Sequence, residues 1–269
     1  MKPQNKQNKN EKAMRINQFI AHYSNLSRRE ADLAVQEKRV KINFKIAQNG
    51  DKITSKDKVF LDGKMISKRA KIPTLIVYNK PKGELVTKKD SFNRRRIFDS
   101  LDAKFAHFTS IGRLDYSSEG LLILSDDKSI ASALEKSKMP RTYLVKIDSP
   151  ITKEMTFAME NGLVLEDAKK GAHPLSKIEK MTFAPFLSFE VLKSGNFSKL
   201  KISISEGQNR EIRRFFAHFN AEVLDLKRIS FGFISLNALP TSKSRFLNKL
   251  EYKKLHEFLK PSDRQSRHL

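Results

Sequence analysis

The chain has 269 residues, 39% of them hydrophobic, with 53 lysines and arginines against 30 acidic residues and a formal net charge of +23. That length favours two domains with enough apolar material for a real core, and an excess of this sign points to a phosphate backbone as partner. Cysteine is absent, which excludes disulfides, thiolate zinc sites and cysteine nucleophiles; the six histidines form no ligand-spaced pair, and no apolar run approaches the roughly 18 residues of a bilayer span, so no metal, no membrane and a cytoplasmic location are expected.

Residues 1–13, rich in Lys, Gln and Asn, read as a disordered basic tail without an apolar targeting core. The first 74 residues hold 18 basic and 7 acidic side chains, a concentrated basic body. Ile16, Phe19, Ile20 and Tyr23 recur at the spacing of one helical face. After a Ser24-Asn25 turn, Ser27-Arg28-Arg29-Glu30 fits a capping box opening a second helix, with Ala31, Ala34 and Val35 inward and Arg28 and Arg29 outward. Lys38, Arg39 and Lys41 follow its end. Short strands are predicted over Val40–Phe44 and Lys58–Leu61, with turns at Asn49-Gly50 and Asp62-Gly63. Over residues 14–66 this pattern resembles the S4-type RNA-binding module, carried by Ser27-Arg28-Arg29-Glu30-Ala31, Arg39-Val40-Lys41-Ile42-Asn43 and Val59-Phe60-Leu61-Asp62-Gly63-Lys64. The resemblance implies RNA contacts by Arg28, Arg29, Arg39 and Lys41.

Residues 67–74 read as a linker, and a second domain spans 75–260 before a C-terminal tail, 261–269. It opens with the strand Leu75-Ile76-Val77-Tyr78 and the rigid turn Lys80-Pro81-Lys82-Gly83, whose lysines are offered to RNA or to nothing. Phe108–Ile111 and Leu121–Leu124 read as strands flanking a sharp turn. Helices are expected over Ser129–Ser137, Thr152–Asn161, Asn209–Phe219 and Asn248–Leu259. Further strands are expected over Arg141–Ile147, Leu175–Met181, Leu187–Leu192, Leu200–Ile204 and Val223–Arg228. Strands in runs with fewer helices predict an α+β fold on a large, mainly antiparallel mixed sheet.

The turn carries the sequence Gly112-Arg113-Leu114-Asp115, delivering a carboxylate beside an arginine at the sheet edge of a strongly basic chain. A nucleophilic carboxylate must stay ionised yet sheltered, and burial alone would neutralise it, so a cationic partner is required. In the helix after Asn209, Ile212, Phe215, Phe216 and Phe219 form one apolar face. At about 100° per residue Arg210 and Arg214 fall nearly opposite that face and Arg213 at its border, best placed to be half buried and to hold a carboxylate. The amides at this helix start, with its arginines, offer a phosphate site.

Five motifs in order are similar to the pseudouridine synthases of the RsuA/RluB type: Asn79-Lys80-Pro81-Lys82-Gly83, the Gly112–Asp115 turn with Glu119–Leu124, Arg141-Thr142-Tyr143-Leu144-Val145, Glu206–Arg214 and Leu226–Gly232. Thr142 stands where lysine is frequent. The resemblance implies isomerisation of specific uridines in ribosomal RNA, large subunit over small, by a monomer without cofactor. Its partner is the RNA or a ribosomal assembly intermediate. By position Asp115 is then the catalytic aspartate, attacking the ribose or assisting glycosidic cleavage, after the base has been extruded. Tyr143 stacks on the target base, Arg213 pairs with the aspartate, and Arg113 fills the space of the flipped base or contacts its phosphate. Arg94 resembles a family arginine in placement, either near the site or on a phosphate. The alternative is a non-catalytic RNA-binding or ribosome-assembly protein with the same fold.

Overall fold

A computed structural model of the chain describes residues 13–24, 26–54, 56–66, 73–173 and 176–260. Most of the expected basic tail and linker, the C-terminal tail, Asn25 of the first turn and Leu175 of an expected strand lie outside the described residues. The chain divides into two compact units: one runs to Pro73 and takes in Asp127–Ser129, the other holds Thr74–Asp126 and continues from Ile130.

The small unit runs β1 (Met14–Arg15), α1 (Ile16–Tyr23), α2 (Arg28–Gln36), β2 (Val40–Ile42), β3 (Lys45–Ile46), β4 (Lys52–Ile53), β5 (Val59–Leu61) and β6 (Lys64–Ile66). The capping box closes at both ends: Ser27 Oγ accepts from the Glu30 amide at 3.3 Å, and the Glu30 carboxylate accepts from the Ser27 amide at 2.6 Å. Ile16, Phe19 and Ile20 pack with Ala31, Ala34 and Val35 against Val40 and Val59 of the four-stranded sheet β3-β2-β5-β6. The strand expected to reach Phe44 stops at Ile42. Asn43 and Phe44, both at positive φ, reverse the chain into β3.

From Thr74 the chain runs β7 (Leu75–Lys80), α3 (Ile97–Ser100), β8 (Thr109–Ile111), β9 (Glu119–Ser125), α4 (Lys128–Glu135, its first two residues counted with the small unit), β10 (Arg141–Ile147), α5 (Lys153–Asn161), β11 (Leu163–Leu165) and β12 (Met181–Phe183). It continues with β13 (Ser188–Lys193), β14 (Ser198–Ile204), α6 (Glu211–His218), β15 (Val223–Phe231), β16 (Ile234–Ser235), β17 (Ser244–Phe246) and α7 (Lys249–Leu259). Nine strands form one sheet in the order β13-β14-β10-β15-β9-β7-β17, with β8 on β9 and β16 on β15. Every pairing is antiparallel except β9 with β15, so the expected mixed, mainly antiparallel sheet is what forms.

Strand patterning follows which faces are covered. On β7 and β9, Ile76, Tyr78, Leu122 and Leu124 enter the core on one side, and Leu75, Val77, Leu121 and Ile123 enter the core on the other. Covered twice, these strands read as unbroken aliphatic runs. On β10 Arg141, Tyr143, Val145 and Ile147 are buried, alternating with Thr142, Leu144 and Lys146. One expected strand is displaced: residues 176–180 form no ladder, and the strand lies at Met181–Phe183. The Ile178 carbonyl and Ser176 hydroxyl there accept from Arg214 of α6 instead.

Candidate active site

The turn between β8 and β9 is fixed from beneath. Gly112 takes φ +66, Leu114 is buried as an anchor, and the Ser118 amide closes a turn onto the Asp115 carbonyl at 3.0 Å. Lys80, at the end of β7 and fully buried, donates to the carbonyls of Pro81, Asp115 and Ser118 at 2.9, 3.2 and 2.8 Å. The Gly83 amide adds a bond to the Tyr116 carbonyl at 2.8 Å. Burial pushes the Lys80 ammonium down to about 8, the field of Glu84, Asp115 and Glu119 opposing the shift. Beyond the turn, Gly120 (φ +100) pairs with Arg228 of β15. A Cβ there would meet the Arg228 carbonyl oxygen at 2.3 Å, so the single parallel pairing demands glycine.

The Asp115 carboxylate, about one-third exposed, faces two guanidiniums from the start of α6. Its Oδ2 lies 3.5 Å from Arg210 Nη1 and 3.7 Å from Arg213 Nε. Arg213 also holds the turn: Nη2 donates to the Ser117 carbonyl at 3.2 Å and to Ser118 Oγ at 3.3 Å, and Nη1 to the Val223 carbonyl at 2.8 Å. Its buried Nε has no hydrogen-bond partner, and the Asp115 oxygen is an ion-pair contact in its direction. Burial first, then neighbouring Arg210, pushes the Arg213 guanidinium below its ordinary value, yet a guanidinium remains cationic at neutral pH.

Arg210 differs from the helical-wheel expectation. The helix begins at Glu211, and Arg210 precedes it at φ +50, its Nε donating to the Gly171 carbonyl at 2.8 Å, which turns its end toward Asp115 rather than away. Arg214 also departs from the solvent face predicted for it. It is fully buried and donates to Ala168 O, Ser176 Oγ and Asn209 Oδ1, because Ala168, Ser176 and Ile178 lie over that side of α6. Gly171 permits this approach: a Cβ there would stand 2.6 Å from the Arg213 carbonyl oxygen.

A cavity of about 740 Å³ opens over Asp115. Tyr143, Ile212, Leu226 and Phe231 supply apolar wall, and Arg94, Arg113 and Arg210 also line it. Tyr143 is nearly buried on β10, directly across from Arg228 on β15. Arg113 is exposed on the turn itself. Arg94 sits on the loop after β7, bound to Asp90 at 2.6 Å. Lys80, by contrast, is a support under Asp115 with no surface to offer RNA. In the small unit Arg28 and Arg29 are exposed in the first turn of α2, Lys41 is exposed on β2, and Arg39 is forked onto Asp62 at 2.7 and 2.8 Å.

Sequence reasoning passed over two buried cations in the cavity wall. Arg141 and Arg228 flank the Phe231 ring, 4.7 and 5.7 Å from its centroid. Arg141 donates to the carbonyls of Met139, Ser205, Glu135 and Ser137, and Arg228 Nε donates to the Leu121 carbonyl at 2.7 Å. The signal was strand alternation: Arg141 is two residues from Tyr143, and Arg228 two from Leu226, on the same face.

Comparison with known proteins bears on this geometry. The family model described as RNA pseudouridylate synthase matches residues 74–218, more than half of the chain. A Helicobacter pylori (strain J99) protein named an uncharacterized RNA pseudouridine synthase is 52% identical over 249 residues, covering 92% of this chain and 95% of its own. Ribosomal large subunit pseudouridine synthase B of Bacillus subtilis is 31% identical over 244 residues, covering 90% and 95%. A crystal structure of a pseudouridylate synthase superposes with a TM-score of 0.60 at 26% identity, covering 90% of this chain and 99% of that one.

Proposed function

Because the chain belongs to the RNA pseudouridylate synthase family, a family of isomerases, we propose that it converts specific uridines of ribosomal RNA, those of the large subunit in particular, to pseudouridine, with Asp115 as the catalytic carboxylate. The observation that carries this reading is the Asp115 carboxylate held between Arg210 and Arg213 at the mouth of the cavity. Two guanidiniums face this carboxylate and fix its orientation toward the cavity, where an extruded nucleotide can meet it. The glycosidic C–N bond breaks, with Asp115 adding to the ribose or assisting elimination. The freed uracil turns against Tyr143 and rejoins the ribose through carbon; that carbon loses its proton as the released ring nitrogen gains one, so the isomerisation needs no outside reagent. Arg113 and Arg94, on the cavity wall, take phosphates flanking the target. The large-subunit assignment draws support from the name of the Bacillus subtilis relative.

The small unit, by its S4-type pattern, docks the RNA through Arg28, Arg29 and Lys41, which are exposed. We expect Asp115→Asn to abolish pseudouridine formation, read by mass spectrometry of ribosomal RNA, while RNA binding persists; a fully active Asp115→Asn enzyme would sink the assignment. Replacing Arg28 and Arg29 by alanine weakens binding and lowers its salt dependence, with turnover at saturating RNA retained.

A further inference from the structure

Two hairpins of the small unit are closed by two-residue turns. Asp62-Gly63 joins β5 to β6 at φ +50 and +75, and Asn43-Phe44 joins β2 to β3 at φ +48 and +68. Two successive left-handed residues are the type I′ geometry, whose second place belongs to glycine because a bulky side chain is strained there. Phe44 occupies that place with 72% of its surface exposed, so burial does not offset the strain. Strain of this kind persists where the side chain serves something other than the fold.

Its surroundings say what. The Phe44 ring lies 5.0 Å from the Phe60 ring, at 35° between planes. The pairing register sets Ile46, Lys41, Phe60 and Met65 in one row across β3, β2, β5 and β6, with Val40 and Val59 on the opposite, core face. Ile46 and Met65 are more than half exposed, leaving an open apolar strip. Lys41 within the row and Lys58, two residues before Phe60, are exposed on this face, while Lys45 and Lys64, also exposed, register with Ile42 and Leu61 on the other. Nearby carboxylates are engaged within the unit: Asp57 by Asn43 and Thr54, and Asp62 by Arg39.

We propose that this sheet face, with Phe44 as its outermost ring, is a stacking platform for unpaired bases of the RNA substrate, with Lys41 and Lys58 holding its phosphates. Aromatic rings bordered by cations bind single strands with little regard to sequence, since every base offers a π face. The cationic border favours a polyanion over a protein as occupant. The inference rests on the reading that the small unit docks RNA, and it adds a second surface to the helix start at Arg28 and Arg29.

Phe44→Gly in the full-length chain tests it, because glycine removes the ring and the strain together. The melting temperature holds or rises, while affinity for a fluorescein-labelled oligouridylate falls about tenfold at fixed salt, the weight of one stacked base. The salt slope stays as it was, since no charge is lost. Unchanged affinity in Phe44→Gly, with weakened binding when Arg28 and Arg29 are replaced, overturns the platform and leaves the docking reading standing. Unchanged binding in both sets overturns both. A lower melting temperature refutes the strain argument, and loss of self-association in sedimentation with RNA affinity intact gives the face to a second copy of the chain.

Discussion

Arg94, Arg95 and Arg96 follow one another in the loop after β7, and Arg210, Arg213 and Arg214 crowd the start of α6; as sequence, both are basic patches. In the loop each guanidinium is itself exposed and meets an acid: Arg94 with Asp90, Arg95 with the buried Glu84 and Arg96 with Asp99. At α6 the arginines are mostly buried, and carbonyl oxygens take much of the work: Val223 and Ser117 for Arg213, Ala168 for Arg214, Gly171 for Arg210. Among the described residues, Asp115 alone forms ion pairs with two of them. Clustered charge therefore has two fates. At the surface it is screened and exchangeable; under a protein layer it becomes a fixed field aimed at one place.

The sharpest test of this contrast sets neighbours against each other. Arg213→Ala removes the buried cation nearest the carboxylate and two supports of its turn, and turnover is expected to fall about 100- to 1,000-fold, as for loss of one preorganised charge partner. Arg213→Lys keeps the charge without the fork and falls between. Arg214→Ala leaves the carbonyls of Ala168 and Ile178 without their donor, so it costs about 1–3 kcal/mol of stability in denaturant unfolding with turnover at saturating RNA retained. Equal losses of turnover in both alanine variants would erase the distinction drawn between the two residues.

The difference between the two patches was only partly legible in the sequence. The wheel placed Arg213 at the border of the apolar face, half buried, and the structure buries it more deeply than that. It failed for Arg214 because a wheel sees one helix and not Ala168, Ser176 and Ile178 laid over it. It failed for Arg210 because the helix starts one residue later, where a left-handed φ redirects the side chain. Strand patterning carried further: Arg141–Ile147 was predicted to its end residues, since alternation and burial agree along β10. The Asn43-Phe44 reversal escaped because its signal is glycine, present at Asp62-Gly63 and missing there. What a tertiary layer or a strained turn decides is not written in local periodicity.

Lys80 extends the contrast to a buried ammonium and gives an effect of middle size. Its folded value is lowered to about 8 from 10.5, so between those values the folded chain binds fewer protons than the unfolded one. Stability then rises with pH across that window, because the cost of burying the cation below about pH 8 is relieved as the group loses its proton. Measured against Lys80→Met, the native chain should gain stability from about pH 8 to about 10.5, by about 3 kcal/mol at most. A flat difference across the window would mean that the ammonium is hydrated rather than locked under the Asp115 turn.

Arg94 closes the series with the smallest effect. Its pair with Asp90 is exposed on the arginine side, and exposed pairs add little to stability, so Arg94→Ala should leave unfolding nearly unchanged. Binding is where it registers. A guanidinium on the cavity rim that meets one RNA phosphate releases about one counterion, so its loss should lower the slope of log affinity against log salt by about 0.7–0.9 while turnover at saturating RNA holds. An unchanged slope would leave Arg94 a partner of Asp90 alone, and a large loss of turnover would move it from the screened patch to the fixed field around Asp115.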